Sequence, residues 1–446
     1  MPLCISLFLT RTDPDVLRNH QAYCGRHGYP HRVHAPVLGS AAQQQVYKYQ
    51  LLRRELAGLA DGDWLLFLDQ DSVVTHPVGA EQLVEGVDAV IVEYPPGEGL
   101  AGPVAMTNML LLRNTPANRQ VLAAAATEVS HAMVVQAREG IDEYAVLRAV
   151  GVLPCNAMRA GSYANVNWRI YDWYKAPVFV IHLGHLPTAQ VGQRVLHDAR
   201  LQNALVRWIN ARTEQGRPLL APVSPPPSQV PYEAFQPERP VALVTLYTHH
   251  ITAYASIAEA NVRRYCERHG LAYHVYRAIP PELDPGINGT WVKTWLLLRH
   301  FHAHEWVIWI DADILFGNQQ RPLQDLLSGR DVLLAKDIGD WPVNAGVLGF
   351  RRTPDNERVL RRIWERIEAV PDKSTTYSSM GDQFYVNEVL GQEGLLGEAT
   401  VHDCLSVNTP SQLADDDTLM VHFIGLGEPY RSVYMADMDA RSLARG

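Results

Sequence analysis

Four segments of this chain recur in the same order and at a nearly constant spacing, and this repetition constrains the fold more than any other feature. YCGRHG, which ends at Gly28, recurs as YCERHG, which ends at Gly270. WLLFLDQD, ending at Asp71, recurs as WVIWIDAD, ending at Asp313, so both offsets are 242 residues. RNTPANRQVL and VIHLG recur as RRTPDNERVL and VHFIG at offsets of 238 and 240 residues. Because such order is hard to obtain by chance, the sequence predicts a duplicated chain.

The segment between the two copies, residues 214–240, contains eight prolines. Proline fixes φ and lacks an amide donor, so this segment is not expected to join a helix or a central strand. It predicts either an extended linker or an irregular strap packed against both copies. A chain of 446 residues is long enough for two cores. We therefore expect an N-terminal domain at 1–213, a linker at 214–240 and a C-terminal domain at 241–446.

Each copy alternates short apolar runs with stretches of helical periodicity, the pattern of an α/β protein whose sheet strands are joined by crossover helices. In the second copy, residues 241–246 and 306–310 are predicted to be strands. Thr353-Pro354 predicts the start of a helix, because proline is favoured at the first helical position. The apolar residues that follow it share one helical face and predict core packing: Val359, Leu360, Ile363, Trp364 and Ile367.

Composition excludes several classes of function. A net charge of −9 argues against a nucleic-acid partner, because binding phosphates requires a basic surface. There is no run of about 20 apolar residues that could cross a bilayer, and the apolar run near the N-terminus predicts a strand rather than a signal peptide. Five widely spaced cysteines without a CxxC motif indicate a reducing compartment. A cytoplasmic enzyme is the simplest prediction.

Two acidic pairs follow predicted strands. Asp311-Ala312-Asp313 comes directly after residues 306–310, and Asp69-Gln70-Asp71 comes after residues 64–68. In open α/β sheets ligands bind beyond the carboxyl ends of the strands. Two carboxylates one residue apart can converge there on one divalent cation. An isolated pair of this kind is more often a solvated turn, but its repetition after matching strands favours a metal site.

Six segments of the second copy, in order, carry a more specific signal: ALVTLYTHH, VKTWLLLRHF, WIDADILF, DWPVNAGVLGFRRTP, GDQFYVNEVL and VHFIGLGEPY. Together they resemble the retaining GT-A glycosyltransferases of the glycogenin-like group and of glycosyltransferase family 34. The resemblance implies an α/β fold of two tandem GT-A domains, each a Rossmann-like, mostly parallel sheet flanked by helices.

The resemblance also implies roles for individual residues. A divalent cation, Mn²⁺ or Mg²⁺, would be bound by Asp311, Asp313 and His422. The nucleotide-sugar donor would be contacted by Leu246, Thr248, His249, Lys293, Asn344, Gly346 and Gly425, with Asp382 and Gln383 beside its anomeric carbon. Three of these residues have simpler explanations. Lys293 could be an ordinary surface residue, Gly346 could permit tight packing, and His422 could be a hydrogen-bonded core histidine.

The closing motif departs from the family pattern. Where the family has a lysine that stabilises the departing diphosphate, this chain has Glu428. Developing negative charge requires a preorganised positive group, and a glutamate opposes it. Arg431 and Lys293 are the candidates to replace the lysine.

The first copy keeps Asp69, Asp71 and His182 as a candidate metal site, and Asp142 is its candidate for the catalytic acid. Elsewhere it has drifted: Asn108-Met109-Leu110 aligns with Asn344-Ala345-Gly346, which predicts that the bulky Met109 lies against the sugar. This copy either uses a different donor, which would make the protein bifunctional, or has lost turnover and serves as a glycan-binding or scaffold domain.

The predicted function is transfer of a sugar from a nucleotide-sugar donor, typically a UDP-sugar, to a glycan or other hydroxyl acceptor, with retention of configuration and with a divalent cation. The alternative function with related chemistry is that of a sugar nucleotidyltransferase, which would also combine an α/β sheet with a carboxylate-bound metal. It usually requires a glycine-rich, basic phosphate loop near the first strand, and neither copy has one.

Overall fold

The structure is a computed structural model that describes residues 1–10, 12–75, 78–84, 86–94, 104–135, 163–165, 179–183, 189–191, 194–196, 199–216, 228–376 and 381–445. The chain divides into two compact units. The first comprises Met1–Pro187 and Gln202–Ala221, and the second comprises Thr188–Leu201 and Pro222–Gly446. Each unit combines mixed sheets with helices, which confirms the predicted α/β class.

The first unit is built on a five-stranded sheet of order β2-β1-β3-β6-β5 and a small sheet of order β4-β8-β7. Strand β1 is parallel to β2 and β3, whereas β6 is antiparallel to β3 and β5. The strands are β1 (Leu3–Leu7), β2 (His31–His34), β3 (Trp64–Asp69), β4 (Ser72–Val74), β5 (Ala89–Tyr94), β6 (Val104–Arg113), β7 (Tyr163–Asn165) and β8 (Val180–His182).

The second unit is built on a seven-stranded sheet of order β11-β13-β12-β14-β17-β16-β18 and a small sheet of order β15-β20-β19. A further antiparallel pair is formed by β9 (Ala189–Val191) and β10 (Arg194–Leu196). The remaining strands are β11 (Tyr232–Phe235), β12 (Val241–Leu246), β13 (Ala272–Tyr276), β14 (Trp306–Ile310), β15 (Ile314–Phe316), β16 (Val332–Ala335), β17 (Asn344–Arg351), β18 (Val401–His402), β19 (Thr409–Pro410) and β20 (Met420–His422).

The helices are α1 (Pro14–His27), α2 (Ala41–Ala57), α3 (Pro116–Val135), α4 (Ala199–Glu214), α5 (Thr252–His269), α6 (Lys293–His300), α7 (Gln324–Leu327), α8 (Pro354–Glu368), α9 (Asp382–Gln392) and α10 (Tyr430–Arg445). Short 3-10 helices lie at Ala80–Leu83, His249–Ile251, Gly289–Val292 and Ser411–Leu413. None of the helices in the described ranges is long and apolar enough to cross a membrane.

The two units share five strands of their large sheets and three strands of their small sheets in the same arrangement. Within the larger sheets, β2-β1-β3-β6-β5 and β13-β12-β14-β17-β16 share their order and strand directions, and the small sheets match in the same way. Both large sheets are mixed rather than mostly parallel, because β6 and β17 run antiparallel to both of their neighbours. Hydrophobic periodicity predicts where a strand lies but not its direction, which is why the sequence missed this.

The repeated sequence segments have structural causes. Gly28 and Gly270 end α1 and α5 with φ angles of 68° and 64°, in the left-handed region that favours glycine. The hydroxyls of Thr115 and Thr353 accept hydrogen bonds from the amides three residues later, at the starts of α3 and α8.

A buried asparagine of each unit makes the same pair of backbone hydrogen bonds. The Asn19 side chain donates to the Val74 carbonyl and accepts from the Val74 amide. Asn261 does the same with Phe316. The duplication therefore extends to individual hydrogen bonds of the core.

Several local predictions are confirmed. Strands β12 and β14 have the predicted bounds, β1 lies in the apolar run near the N-terminus, and α8 begins at Pro354. Of its apolar face, Trp364 is half-buried and the rest is buried. Within the proline-rich segment, Tyr232–Phe235 is the edge strand β11 rather than linker. An edge strand tolerates nearby prolines because one of its sides needs no amide donors.

Candidate active site

The connection from β14 to β15 and the pairing of β15 with β20 bring the acidic pair of the second unit against His422. Asp311 and Asp313 lie between the end of β14 and the start of β15. Strand β15 pairs with β20 so that Ile314 is opposite His422. As a result, one side-chain atom of each of Asp311, Asp313 and His422 lies within 4.8 Å of the others. The sheet register thus brings together the three residues predicted to bind metal.

A chain of hydrogen bonds fixes the imidazole of His422. The Gly346 amide donates to Asn344 Oδ1 at 2.9 Å, so this atom is an acceptor. Asn408 Nδ2 must therefore be the donor in its 2.8 Å contact with the same atom. Asn408 Oδ1 then accepts from His422 Nδ1 at 2.7 Å, which places a proton on Nδ1.

The Nε2 atom of His422 faces Asp313 Oδ1 at 3.2 Å. A lone pair there would oppose the carboxylate, so the arrangement suits either a second proton or a cation between the two atoms. Metal-bound histidines are commonly fixed through their other ring nitrogen in this way. Two carboxylates and one imidazole form a donor set that fits Mn²⁺ or Mg²⁺ better than Ca²⁺, which favours oxygen ligands alone.

Lys293 is buried and is therefore not an ordinary surface residue. It begins α6, and its Nζ lies 2.9 Å from Asp311 Oδ1 and 3.1 Å from Asp382 Oδ2. Burial alone would lower the pKa of Lys293, but these two carboxylates raise it above its usual value. Lys293 is thus a fixed positive charge between the acidic pair and α9.

Residues from α9 and β17 lie beside this lysine. Burial raises the pKa of Asp382 against the opposing effect of Lys293. Gln383 Oε1 accepts a hydrogen bond from the Ala345 amide at 3.0 Å. Gly346 packs so tightly that an added Cβ would lie 2.6 Å from His422 Cε1. Close packing therefore accounts for Gly346 without a sugar contact.

A cavity of about 830 Å³ opens beside the acidic pair, a size typical of small-ligand sites. Six of the predicted site residues line it: Leu246, Thr248, His249, Lys293, Asp311 and Asp313. The other predicted residues of this unit are not part of its described lining. Asp382 is linked to it through Lys293, and His422 through Asp313. Gly425 has a φ of 71°, which by itself explains a glycine at that position.

Sequence reasoning missed three residues of the site. Trp309 Nε1 donates to Asp311 Oδ1 at 2.6 Å, Asn408 fixes His422, and the ring of Tyr254 lies 4.8 Å from the Arg431 guanidinium. The unbroken apolar run of β14 marks Trp309 as a core residue only. Asn408 has a φ of 70°, a conformation that asparagine tolerates, but no motif marks it.

The first unit assembles a corresponding trio. Single side-chain atoms of Asp69, Asp71 and His182 lie within 4.8 Å of one another. Two polar side chains enter this site that have no counterpart in the second unit. Asn108 Nδ2 donates to Asp69 Oδ2. Gln70 Oε1 accepts from the amides of Leu9 and Thr10 at 2.8 and 3.0 Å, whereas the equivalent Ala312 lines the cavity of the second unit.

The strand register corrects the sequence alignment of the sugar segment. Leu68 pairs with Met109, and the equivalent Ile310 pairs with Val347. Asn108, and not Leu110, therefore stands at the position of Gly346. Met109 is buried in the core and does not face the site. The shared asparagine misled the alignment by two residues. Asp142, the other candidate of this copy, lies outside the described residues.

A trio of buried histidines in the second unit resembles a metal site only in its composition. The rings of His274 and His300 are stacked with centroids 3.9 Å apart, so their in-plane lone pairs do not converge. His274 Nε2 contacts His304 Nε2 at 2.9 Å, and His304 Nδ1 contacts the Arg239 carbonyl at 2.8 Å. Burial lowers the pKa of His274 to about 4. This trio is a hydrogen-bonded core cluster.

Comparison with known proteins shows what the second unit is similar to. A family model of glycosyltransferases matches residues 244–365, from β12 through the acidic pair and β17 into α8. Over these residues the second unit is similar to glycosyltransferases. A search of curated proteins by sequence found no match.

The matching family is described as the galactosyl transferase GMA12/MNN10 family, so the resemblance to glycosyltransferase family 34 is confirmed over these residues. The match ends before Asp382 and His422. The assignment of those two residues to the site therefore rests on their contacts with Lys293 and Asp313.

Solved structures resemble about half of the chain. A glycosyltransferase involved in glycosylation of the major capsid of PBCV-1 is 20% identical over 44% of this chain and 98% of its own, with a TM-score of 0.34. The galactosyltransferase LgtC, in complex with donor and acceptor sugar analogs, is 14% identical over 45% and 96%, with a TM-score of 0.30. GlyE of Streptococcus pneumoniae TIGR4 is 13% identical over 46% and 64%, with a TM-score of 0.30. These similarities are too distant to assign a substrate.

Proposed function

We propose that the second unit, a GT-A domain, transfers a sugar from a UDP-sugar to a hydroxyl acceptor such as a glycan, with retention of configuration and with Mn²⁺ or Mg²⁺. The observation that carries this proposal is the acidic pair, fixed beside His422 at the wall of a cavity of about 830 Å³. The bond between the anomeric carbon and the diphosphate breaks with its electron pair on the diphosphate. The acceptor oxygen forms the new bond, and its proton passes to the departing diphosphate.

Each residue of the site has a role in this proposal. Asp311, Asp313 and His422 would hold the cation, which when bound is a Lewis acid for the charge that develops on the diphosphate. Lys293 pairs with both Asp311 and Asp382 and so holds these two carboxylates in place. The Gln383 oxygen uses one lone pair for the Ala345 amide, and we assign the other to the electron-poor anomeric carbon.

Chelation tests the metal requirement. We expect EDTA to stop release of UDP from UDP-galactose, and Mn²⁺ to restore it better than Ca²⁺, because an imidazole ligand favours transition metals over calcium. Release of UDP is measured on the full-length protein with and without acceptor sugars. Undiminished release in chelator would contradict the metal assignment of Asp311 and Asp313.

For the first unit, also proposed to be a GT-A domain, we favour the non-catalytic alternative. Asn108 supplies its own hydrogen bond to Asp69, a carboxylate that a cation would need. Gln70 binds the amides that follow β1, at the position where the second unit has Thr248 and His249. The two side chains therefore occupy the Asp69 carboxylate and the backbone amides that a metal-bound nucleotide would contact. We propose a glycan-binding or scaffold role for this unit.

Removal of these two side chains tests this proposal. In an Asp313→Asn background, which removes the site of the second unit, we expect the protein to bind Mn²⁺ and UDP weakly. Adding Asn108→Gly and Gln70→Ala, the residues that the second unit has at these positions, is expected to tighten binding by about 10-fold, the scale of one recovered charge-assisted hydrogen bond. Calorimetric titration measures both ligands. Tight binding before the change would restore the bifunctional alternative.

A further inference from the structure

Each carboxylate of the acidic pair in the second unit faces a cation from its own chain. Lys293 Nζ lies 2.9 Å from Asp311 Oδ1, and Arg431 Nη1 lies 3.3 Å from Asp313 Oδ2. The two cations differ in one respect. Lys293 is paired with two carboxylates, Asp311 and Asp382, whereas within the described residues the ion pair of Arg431 is with Asp313.

Arg431 has the features of an anion-binding group. It lies in the first turn of α10 and lines the cavity, with 18% of its side chain exposed. Its guanidinium is held over the ring of Tyr254 at 4.8 Å. Among the described residues, none accepts a hydrogen bond from its buried Nε. A guanidinium presents its donors as a rigid fork that matches phosphate oxygens, so a spare buried donor beside a cavity suits a phosphate.

Glu428, which stands where the family has its lysine, has a hydrogen-bond partner other than Arg431. Its Oε2 accepts a hydrogen bond at 2.6 Å from the hydroxyl of Ser432, a residue in the first turn of α10. Burial raises the pKa of Glu428, whereas Ser432 and Arg431 lower it. The family's lysine is thus replaced by Glu428, and the nearby cation is Arg431, three residues later, which pairs with Asp313 of the acidic pair.

We propose that Arg431 is the catalytic cation for the departing diphosphate, and that in the absence of nucleotide it neutralises Asp313 in competition with the divalent cation. This inference rests on the proposed function. When the bond to the anomeric carbon breaks, its electron pair stays on the diphosphate oxygen, and Arg431 donates hydrogen bonds to that oxygen without losing a proton.

The competition makes binding of metal and nucleotide cooperative. A divalent cation and a guanidinium that share Asp313 repel each other. A diphosphate offers Arg431 another anion and so relieves this repulsion. By linkage, nucleotide then strengthens metal binding by the same factor as metal strengthens nucleotide binding.

The test uses the full-length protein in an Asp71→Asn background, so that the first unit contributes no metal site. Arg431→Met keeps the apolar stem and removes the charge. We expect Mn²⁺ alone to bind about 10-fold more tightly to this variant, within the usual range of coupling between sites. UDP with saturating Mn²⁺ should bind about 10-fold or more weakly, whereas the affinity for uridine should be unchanged. Arg431→Lys should recover part of the UDP affinity.

Arg445→Met is the matched control, because it removes an exposed positive charge from the far end of the same helix. It should change neither affinity. A structural role for Arg431 would weaken Mn²⁺, UDP and uridine together, and that result would overturn the proposal. Unchanged Mn²⁺ affinity in Arg431→Met would overturn it as well. If the background protein binds Mn²⁺ but no UDP, the proposed function itself is contradicted. The two preceding results would contradict only the role of Arg431, so the two failures can be distinguished.

Discussion

Asp313→Asn is expected to reduce release of UDP from a UDP-sugar by about 10³-fold or more, the scale seen when a major electrostatic contribution to a transition state is lost. The substitution keeps the shape of the side chain but removes the charge that faces His422, Arg431 and the proposed cation. In the present structure, burial works against ionisation of Asp313, but His422 and Arg431 hold its pKa well below the usual range. The carboxylate is therefore charged at neutral pH, and asparagine removes a full negative charge.

The duplicated chain offers a matched control for this experiment. Asp71→Asn is the same substitution at the equivalent position of the first unit, and it should leave turnover unchanged. Thermal unfolding and Mn²⁺ affinity are measured on both variants. Full turnover in Asp313→Asn would remove the metal assignment, and loss of turnover in Asp71→Asn would show that the first unit takes part in catalysis.

The family resemblance led to Asp311, Asp313 and His422 as candidate metal ligands, and the duplicated chain supported them by an internal comparison. His422 alone would more often be an ordinary core histidine, and its recurrence as His182 favours the candidate site. The strands that carry the acidic pair were predicted for a simpler reason: unbroken apolar runs such as Trp306–Ile310 are typical of strands buried on both faces.

Other parts of the site depend on contacts between distant segments, which no local pattern encodes. Asn408, which lies in the connection between β18 and β19, fixes the tautomer of His422 in β20. The equivalence of Asn108 and Gly346 is visible only in the register of β6 and β17. Likewise, the direction of β17 made the sheet mixed, although its apolar pattern is that of any buried strand. Local sequence therefore indicated which groups are present, and strand pairing determined which groups meet.

Lys293→Met is expected to lower the local free energy of unfolding of the second unit by about 3–5 kcal/mol, the usual cost of removing one partner of a buried ion pair. Lys293 is 7% exposed and lies between Asp311 and Asp382, so its loss leaves two carboxylates facing each other without a counter-charge. Hydrogen exchange of peptides from α6 and β14 measures the local effect, which a whole-chain transition of two units would obscure.

Three comparisons separate charge from packing in this experiment. Lys293→Met with Asp382→Asn should recover part of the lost stability, because only one carboxylate then lacks a partner. Saturating Mn²⁺ should recover part of it as well, by supplying positive charge beside Asp311. Lys336→Met, at an exposed lysine of the same unit, should change exchange very little. A loss below about 1 kcal/mol in the single variant would mean that solvent reaches these carboxylates, since exposed ion pairs contribute that little. Lys293 would then be no fixed part of the site.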